Sequence, residues 1–326
     1  DELNAFLTAM ETPNYSLPIN LRENTFARHL RRHECYETVD YLLFAKLCEP
    51  HAVQQNPWED EGRDVEAMEN LIERGLREFR VTESHYIRLR YAYQIVRLAH
   101  YVKDYYRTLE LYDELLPKVD ADSSLIYFWM LGHKAGALRS IGRLERDSMR
   151  FAEAAYNFGV VFKNCPSRRE SAFRSLYIPS DEVWRQALLL CVDDQERVAL
   201  YAMRANGKNA KLVEEMEEIY RLSPKSKFLD ILLIKEIRQL ESNILGIDTE
   251  NNKRRTRQYQ RLPDRVLGER LISLQNFARR LRQEKKVPQA ELWHIAEGYL
   301  EFLAGDFYAA QKTLQAAAES TTDEAL

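Results

Sequence analysis

Two histidines and a cysteine are the first residues whose spacing suits chemistry. In "HLRRHEC", His29 and His33 stand four apart, on one face of a helix if 22–33 is helical, with Glu34 and Cys35 close behind. Two imidazoles at that spacing can share a zinc ion. No H-E-x-x-H base pattern accompanies them and no second ligand pair follows. The set is incomplete, so a solvated basic helix face without metal is expected. In "NCPSRRE", Cys165 precedes arginines, superficially as a nucleophile does. A phosphatase loop of the Cys-x5-Arg kind needs arginine at 171, where Ser171 stands, and Arg168 and Arg169 come too early. Glycines that would let backbone amides wrap an anion are missing as well. Pro166 therefore reads as a helix stop. The acidic runs "EDE" (59–61) and "VEEMEE" (213–218) read as solubilising faces of charged helices. No phosphate-binding loop, dinucleotide fingerprint, G-x-S-x-G or kinase signature occurs. Neither a cofactor nor catalysis is expected.

Cations concentrate late in the chain. From Lys253 to Lys286 there are 12 Lys/Arg against 3 Asp/Glu, so with a total of −4 the rest carries −4 − 9 = −13. Lys253, Arg254, Arg255 and Arg257 form the densest patch for an anionic partner, and Tyr259 can stack on a base. Two plainer readings compete with nucleic acid. One is a solvated interhelical loop followed by an amphipathic helix with Val266, Ile272, Leu274, Phe277 and Leu281 inward. The other is docking of these cations onto the chain's own acidic helices. The overall charge and a pI near 6.1 give no global reason to expect nucleic acid or an anionic membrane.

The elements that must carry these residues are helical. Eleven glycines and ten prolines in 326 residues are about half the usual share. Such scarcity disfavours turn-rich β architectures and suits helices joined by short turns. Apolar residues recur at helical spacing: Val65, Met68, Ile72; Leu89, Ala92, Val96, Ala99; Tyr105, Leu109, Tyr112, Leu116; and Phe307, Ala310, Leu314, Ala317. Breakers separate the runs at 49–62, 164–171, 178–182, 205–209, 222–226 and 246–265. The predicted fold class is all-α. No apolar run approaches the roughly 18 residues of a membrane span. The four scattered cysteines require no disulfide. A chain starting at Asp1 without methionine is expected to be a processed or truncated piece, a soluble segment of cytoplasm or periplasm.

From Glu291 onward the sequence resembles a tetratricopeptide repeat (TPR), a unit of about 34 residues that pairs two antiparallel helices. Counting Glu291 as the first position, the resemblance rests on Gly298, Gly305, Asp306, Phe307, Ala310, Leu314 and Ala317 at positions 8, 15, 16, 17, 20, 24 and 27. Three further segments are similar. One carries Asp104-Tyr105 at its turn, one has Ala135 and Gly142 at positions 8 and 15, and one has Gly207 and Pro224. A helical hairpin of 227–245 with 265–283 matches in periodicity. "CPSRRES", "DDQERVALYAMRA" and "LVEEMEEIYRLSP" also resemble large bacterial helical-repeat proteins.

The resemblance implies a right-handed α-solenoid of degenerate TPR-like hairpins. Its expected sections are an N-terminal helical segment (1–62), hairpins at 63–163 and 164–245, a basic loop (246–264) and C-terminal helices (265–326). In such arrays, first-helix positions 2, 5, 9, 12 and 13 line a concave groove. In this sequence they place Arg90, Tyr93, Arg97, His100 and Tyr101 there, with Trp129 and Arg139 from the next unit and Arg197, Tyr201 and Arg204 from another. Aromatic residues with arginine are the composition of protein-binding hot spots. The expected function is a non-catalytic protein–protein interaction scaffold within a larger chain or assembly. The alternatives are a nucleic-acid-binding solenoid using 253–286, and a glycan- or small-molecule-binding TPR-like domain if the aromatics gather in one pocket.

Overall fold

A computed structural model describes residues 6, 19–52, 64–119, 124–207, 210–248, 253–254 and 265–320. Among the described residues the chain is all-α, with sixteen α-helices, two 3-10 turns and a pair of two-residue strands. The part up to Leu190 forms one compact unit and the part from Cys191 another. That division falls inside the stretch 164–245 that the sequence groups together.

The first unit holds α1 (Ile19–Glu23), α2 (Thr25–Arg32), α3 (Tyr36–Ala52), α4 (Val65–Val81), α5 (His85–Val102), α6 (Tyr105–Leu115), α7 (Leu125–Glu145), α8 (Ser148–Asn164), α9 (Arg169–Ser175) and α10 (Asp181–Leu190). α5 is buried nearly all round: Leu89, Tyr91, Ala92, Ile95, Val96, Leu98 and Ala99 are each at most 2% exposed. A helix apolar on so many faces sits between neighbours rather than on a surface. It packs on α3, α4, α6 and α7, and only a narrow stripe is left for polar side chains.

Successive helices turn by a recurring device, a left-handed residue followed by aspartate. After α5, Lys103 adopts φ 71° and the Asp104 carboxylate accepts the Arg107 amide. After α7, Arg146 adopts φ 57° and Asp147 accepts from Met149 and Arg150. The left-handed residue closes the first helix and the aspartate caps the next. The expected turn glycine, Gly142, lies inside α7 instead. A Cβ there would stand 3.2–3.3 Å from Arg150 Cβ, Asp147 O and Phe151 Cδ1. Gly142 thus lets α8 approach, and the turn comes four residues later.

The second unit holds α11 (Asp194–Ala205), α12 (Leu212–Leu222), α13 (Phe228–Leu245), α14 (Arg265–Glu284), α15 (Ala290–Leu303) and α16 (Phe307–Ser320). Strand β1 (Ile247–Asp248) pairs antiparallel with β2 (Lys253–Arg254) after α13. In the α15–α16 hairpin, Gly305 is left-handed at φ 85° and Asp306 accepts the Ala309 amide. A Cβ on Gly298 would lie 2.8 Å from Leu314 Cγ, and Ala310 and Ala317 are buried. Trp293 is fully buried against Phe277 and donates to Asp230 at 3.0 Å. Two expectations for α14 change. Leu274, Phe277 and Leu281 face inward, but Val266 and Ile272 are 67% and 57% exposed, and Leu271 takes the interior place. The principal partner of α14 is α15, while Arg270 ties it to Glu236 of α13 at 2.6 Å.

Candidate functional site

The arginine and aromatic residues of α5 and α7 converge on a recess of about 200 Å³ in the first unit. His100 and Tyr101 enter from α5, and Trp129, His133 and Arg139 from α7. Arg168, in the 3-10 turn Pro166–Arg168, and Ser171 and Ser175 of α9 complete the polar part of the wall. Phe158 and Val161 of α8 form its apolar back. No aspartate or glutamate lines it.

The rings form one cluster. His133 stands 5.2 Å from His100, 5.7 Å from Tyr101 and 6.0 Å from Tyr93, centroid to centroid. Tyr93 lies 5.6 Å from Trp129. Tyr93 is only 6% exposed, so it underlies the expected groove face instead of presenting itself there. Arg97 lies over both Tyr93 and Tyr101, and Arg168 over Trp129 at 5.2 Å. Arg139 donates to the Ser175 carbonyl at 3.0 Å, holding α9 on α7. Arg90 is turned away from the cluster. It stacks on Tyr86, one turn back, and donates to that residue's carbonyl and hydroxyl.

Two glycines shape the recess. A Cβ at Gly136 would lie 2.7 Å from His100 Cε1, so this glycine admits the imidazole against α7. At Gly132 an added Cβ meets nothing within 4 Å. The electrostatics are cationic throughout. Burial, with His100, Arg97 and Arg168 nearby, holds the His133 imidazole well below its ordinary pKa. Burial and then Arg143 lower Arg139. Burial raises the Tyr93 phenol. Arg97, Arg139 and Arg168 make no ion pair with a carboxylate among the described residues.

The candidate arginines of α11 and those of α14 are neutralised by the chain itself. Arg204 pairs with the buried Glu215 at 2.6 Å and Arg197 with Asp194 at 2.8 Å, while Tyr201 is buried. On α14, Arg279 and Arg282 both reach the buried Glu297, at 2.8 and 2.6 Å, and Arg280 reaches Glu217. Docking onto the chain's own acids therefore describes these arginines. Lys253 and Arg254 form β2, and Arg255 and Arg257 lie outside the described residues.

His29 and His33 face each other at 4.4 Å on exposed helix and turn, and the Cys35 thiol points to the His33 carbonyl at 3.8 Å. No group of three or more His, Cys, Asp or Glu among the described residues is placed to hold a metal ion. Cys165 is buried with its sulfur 3.5 Å from Ser167 Oγ, and burial pushes the Cys48 thiol up to about 12.

Sequence reasoning singled out four residues that line this recess (His100, Tyr101, Trp129 and Arg139) and two against it (Tyr93 and Arg97), and passed over His133, Gly132, Gly136 and Arg168. The signal for His133 was its place four residues after Trp129, and it becomes usable only once the α7 turn is set at Arg146. Counting Arg146 as position 15 puts His133 at position 2 and Gly136 at position 5. Arg168 was read only as part of a failed phosphatase loop.

No protein-family model, curated protein or solved structure matches the chain. Among the described residues no helix is long and apolar enough to cross a membrane.

Proposed function

We propose that this chain is a non-catalytic scaffold of right-handed TPR-like hairpins that binds a protein partner through the arginine and aromatic face of α5 and α7. One observation carries the reading. Arg97 and Arg168 lie over aromatic rings and Arg139 on the Ser175 carbonyl, none with an ion-paired carboxylate among the described residues, whereas each arginine of α11 and α14 has at least one. A guanidinium stacked on aromatic surface and away from acids still lacks an ionic partner, and an acidic segment of a partner would supply one. The binding itself is passive. Helices buried on several sides hold the side chains in place before the partner arrives, which reduces the ordering cost of association.

The test is a display selection of random peptides on the purified protein. Enrichment of acidic peptides is expected, with Arg97→Ala weakening them roughly 30-fold, the size of a hot-spot truncation. Binding unaffected by Arg97→Ala and lost on neutralising Arg254, Arg255 and Arg257 would move the site to the basic segment and favour nucleic acid. A second reading, a small-molecule site, is favoured by the gathering of Tyr93, His100, Tyr101, Trp129 and His133 around one recess.

A further inference from the structure

We propose that the recess between α5, α7, α8 and α9 is an oxyanion site, taking one carboxylate or phosphate group carried on a small flat body. The inference rests on reading this face as a binding surface and adds the chemistry of what enters it. Four independent features converge there.

The first is charge. Arg139, Arg168, His100 and His133 line a wall that contains no acidic residue. Guanidinium forks match the planar oxygens of carboxylate and phosphate, and Arg holds its charge at any physiological pH. Burial first, and then the neighbouring His100, Arg97 and Arg168, suppress the basicity of His133, and an arriving anion opposes the electrostatic part.

The second is an orphan donor. The indole N–H of Trp129 is buried and has no acceptor among the described residues. A buried donor left without a partner is unfavourable, and tryptophan can only donate. Trp129 lines the recess, and a small turn of its indole would offer this donor to an oxyanion held there.

The third is Gly132. It sits in mid-helix, where glycine is less stable than alanine, at a place where a side chain would meet open space. Packing does not require it. Keeping the recess open does.

The fourth is size. About 200 Å³ admits a group of on the order of ten non-hydrogen atoms, given the space one water needs. Aromatic and histidine rings on two sides favour a flat body beneath the oxyanion. A whole metabolite of drug size needs a larger pocket; a head group fits.

Calorimetric titration of the full chain with phenyl phosphate, benzoate, inorganic phosphate and phenol tests this. Phenyl phosphate and benzoate should bind one per chain, inorganic phosphate more weakly, and phenol not at all. Arg168→Gln and Arg139→Gln should each weaken phenyl phosphate at least 10-fold. Gly132→Leu should abolish its binding, and Gly132→Ala, which adds one methyl, should melt no lower than the parent and serves as the folded control. Phenol binding as well as phenyl phosphate would overturn the inference. So would the absence of oxyanion binding at millimolar concentration, or binding unchanged in both arginine variants.

Competition with the acidic peptides from the selection then identifies the source of the group. Displacement assigns it to the protein partner, and simultaneous binding assigns it to a free small molecule; both keep the oxyanion site. If peptides bind and depend on Arg97 while no small oxyanion does, this inference falls and the scaffold reading stands. If oxyanions bind and no peptide does, the scaffold reading falls alone.

Discussion

His133 shows how far a single residue can be derived from its surroundings. Facing it are His100, Arg97, Tyr93 and Tyr101 from α5 and Arg168 from the turn before α9, with Trp129 and Arg139 sharing its own helix around the recess. Its pKa is depressed in the folded chain, so the unfolded chain binds the proton more readily. The stability that follows is present above the unfolded value, about 6.5, and is lost as pH falls from there towards the folded value. Denaturant unfolding at pH 7.5 and 5.5 should show that loss, and His133→Phe should reduce it; an unchanged slope would contradict the assignment. The neighbouring glycines predict opposite signs. Gly132→Ala should stabilise by up to about 1 kcal/mol, the helix-propensity difference, whereas Gly136→Ala should cost about 1–3 kcal/mol by overpacking on His100. Chemical denaturation of the two variants checks both. The residue types at this site were legible one helix at a time: α5 supplied Arg97, His100 and Tyr101 from position alone. His133 and Arg168 were not, because their meaning depends on which helices meet.

Among the elements, periodicity and breakers were enough to find the helices, since runs of apolar residues at three- and four-residue spacing have no other way to bury one face. Turn placement was less legible. A glycine in sequence does not say whether it supplies a left-handed backbone or a close approach. Gly305 does the first and Gly142 the second. The left-handed position after α7 went instead to Arg146, which is exposed. Arg146→Gly should therefore stabilise by a few tenths to about 1 kcal/mol, the relief of left-handed strain less the added entropy of the unfolded chain. A destabilised variant in a thermal melt would show that Arg146 makes contacts worth more than its strain. Gly298 is the converse case, because a Cβ there meets both the side chain and the backbone nitrogen of Leu314. Gly298→Ala should cost about 1–3 kcal/mol, and calorimetric melting would expose a smaller figure. On α14, Ile272 was read as interior where its neighbour Leu271 is, a phase error of one residue, and Val266 lies in the exposed first turn.

Across the whole molecule the charges divide into two kinds. The arginines of α11 and α14 lie on the chain's own carboxylates, several of them buried, and removing either partner would leave a charge uncompensated. At the recess, Arg97 and Arg168 lie on rings and Arg139 on the Ser175 carbonyl, with no carboxylate paired to them among the described residues. The net charge concealed this division, and the run of cations at 253–286 includes Arg270, Arg279, Arg280 and Arg282, which the fold pairs with carboxylates. Such a distinction is a matter of three-dimensional neighbours, which is why composition could name the residue types of the binding face without telling used cations from available ones. The arginine Nε–H resonances in a proton–nitrogen correlation spectrum report on both kinds in one sample. On titration with an acidic peptide or phenyl phosphate, those of Arg97, Arg139 and Arg168 should move and saturate together, while those of Arg270, Arg279 and Arg282 stay in place. Movement of the paired arginines instead, or equal drift of all six without saturation, would contradict the assignment of the binding face to α5 and α7.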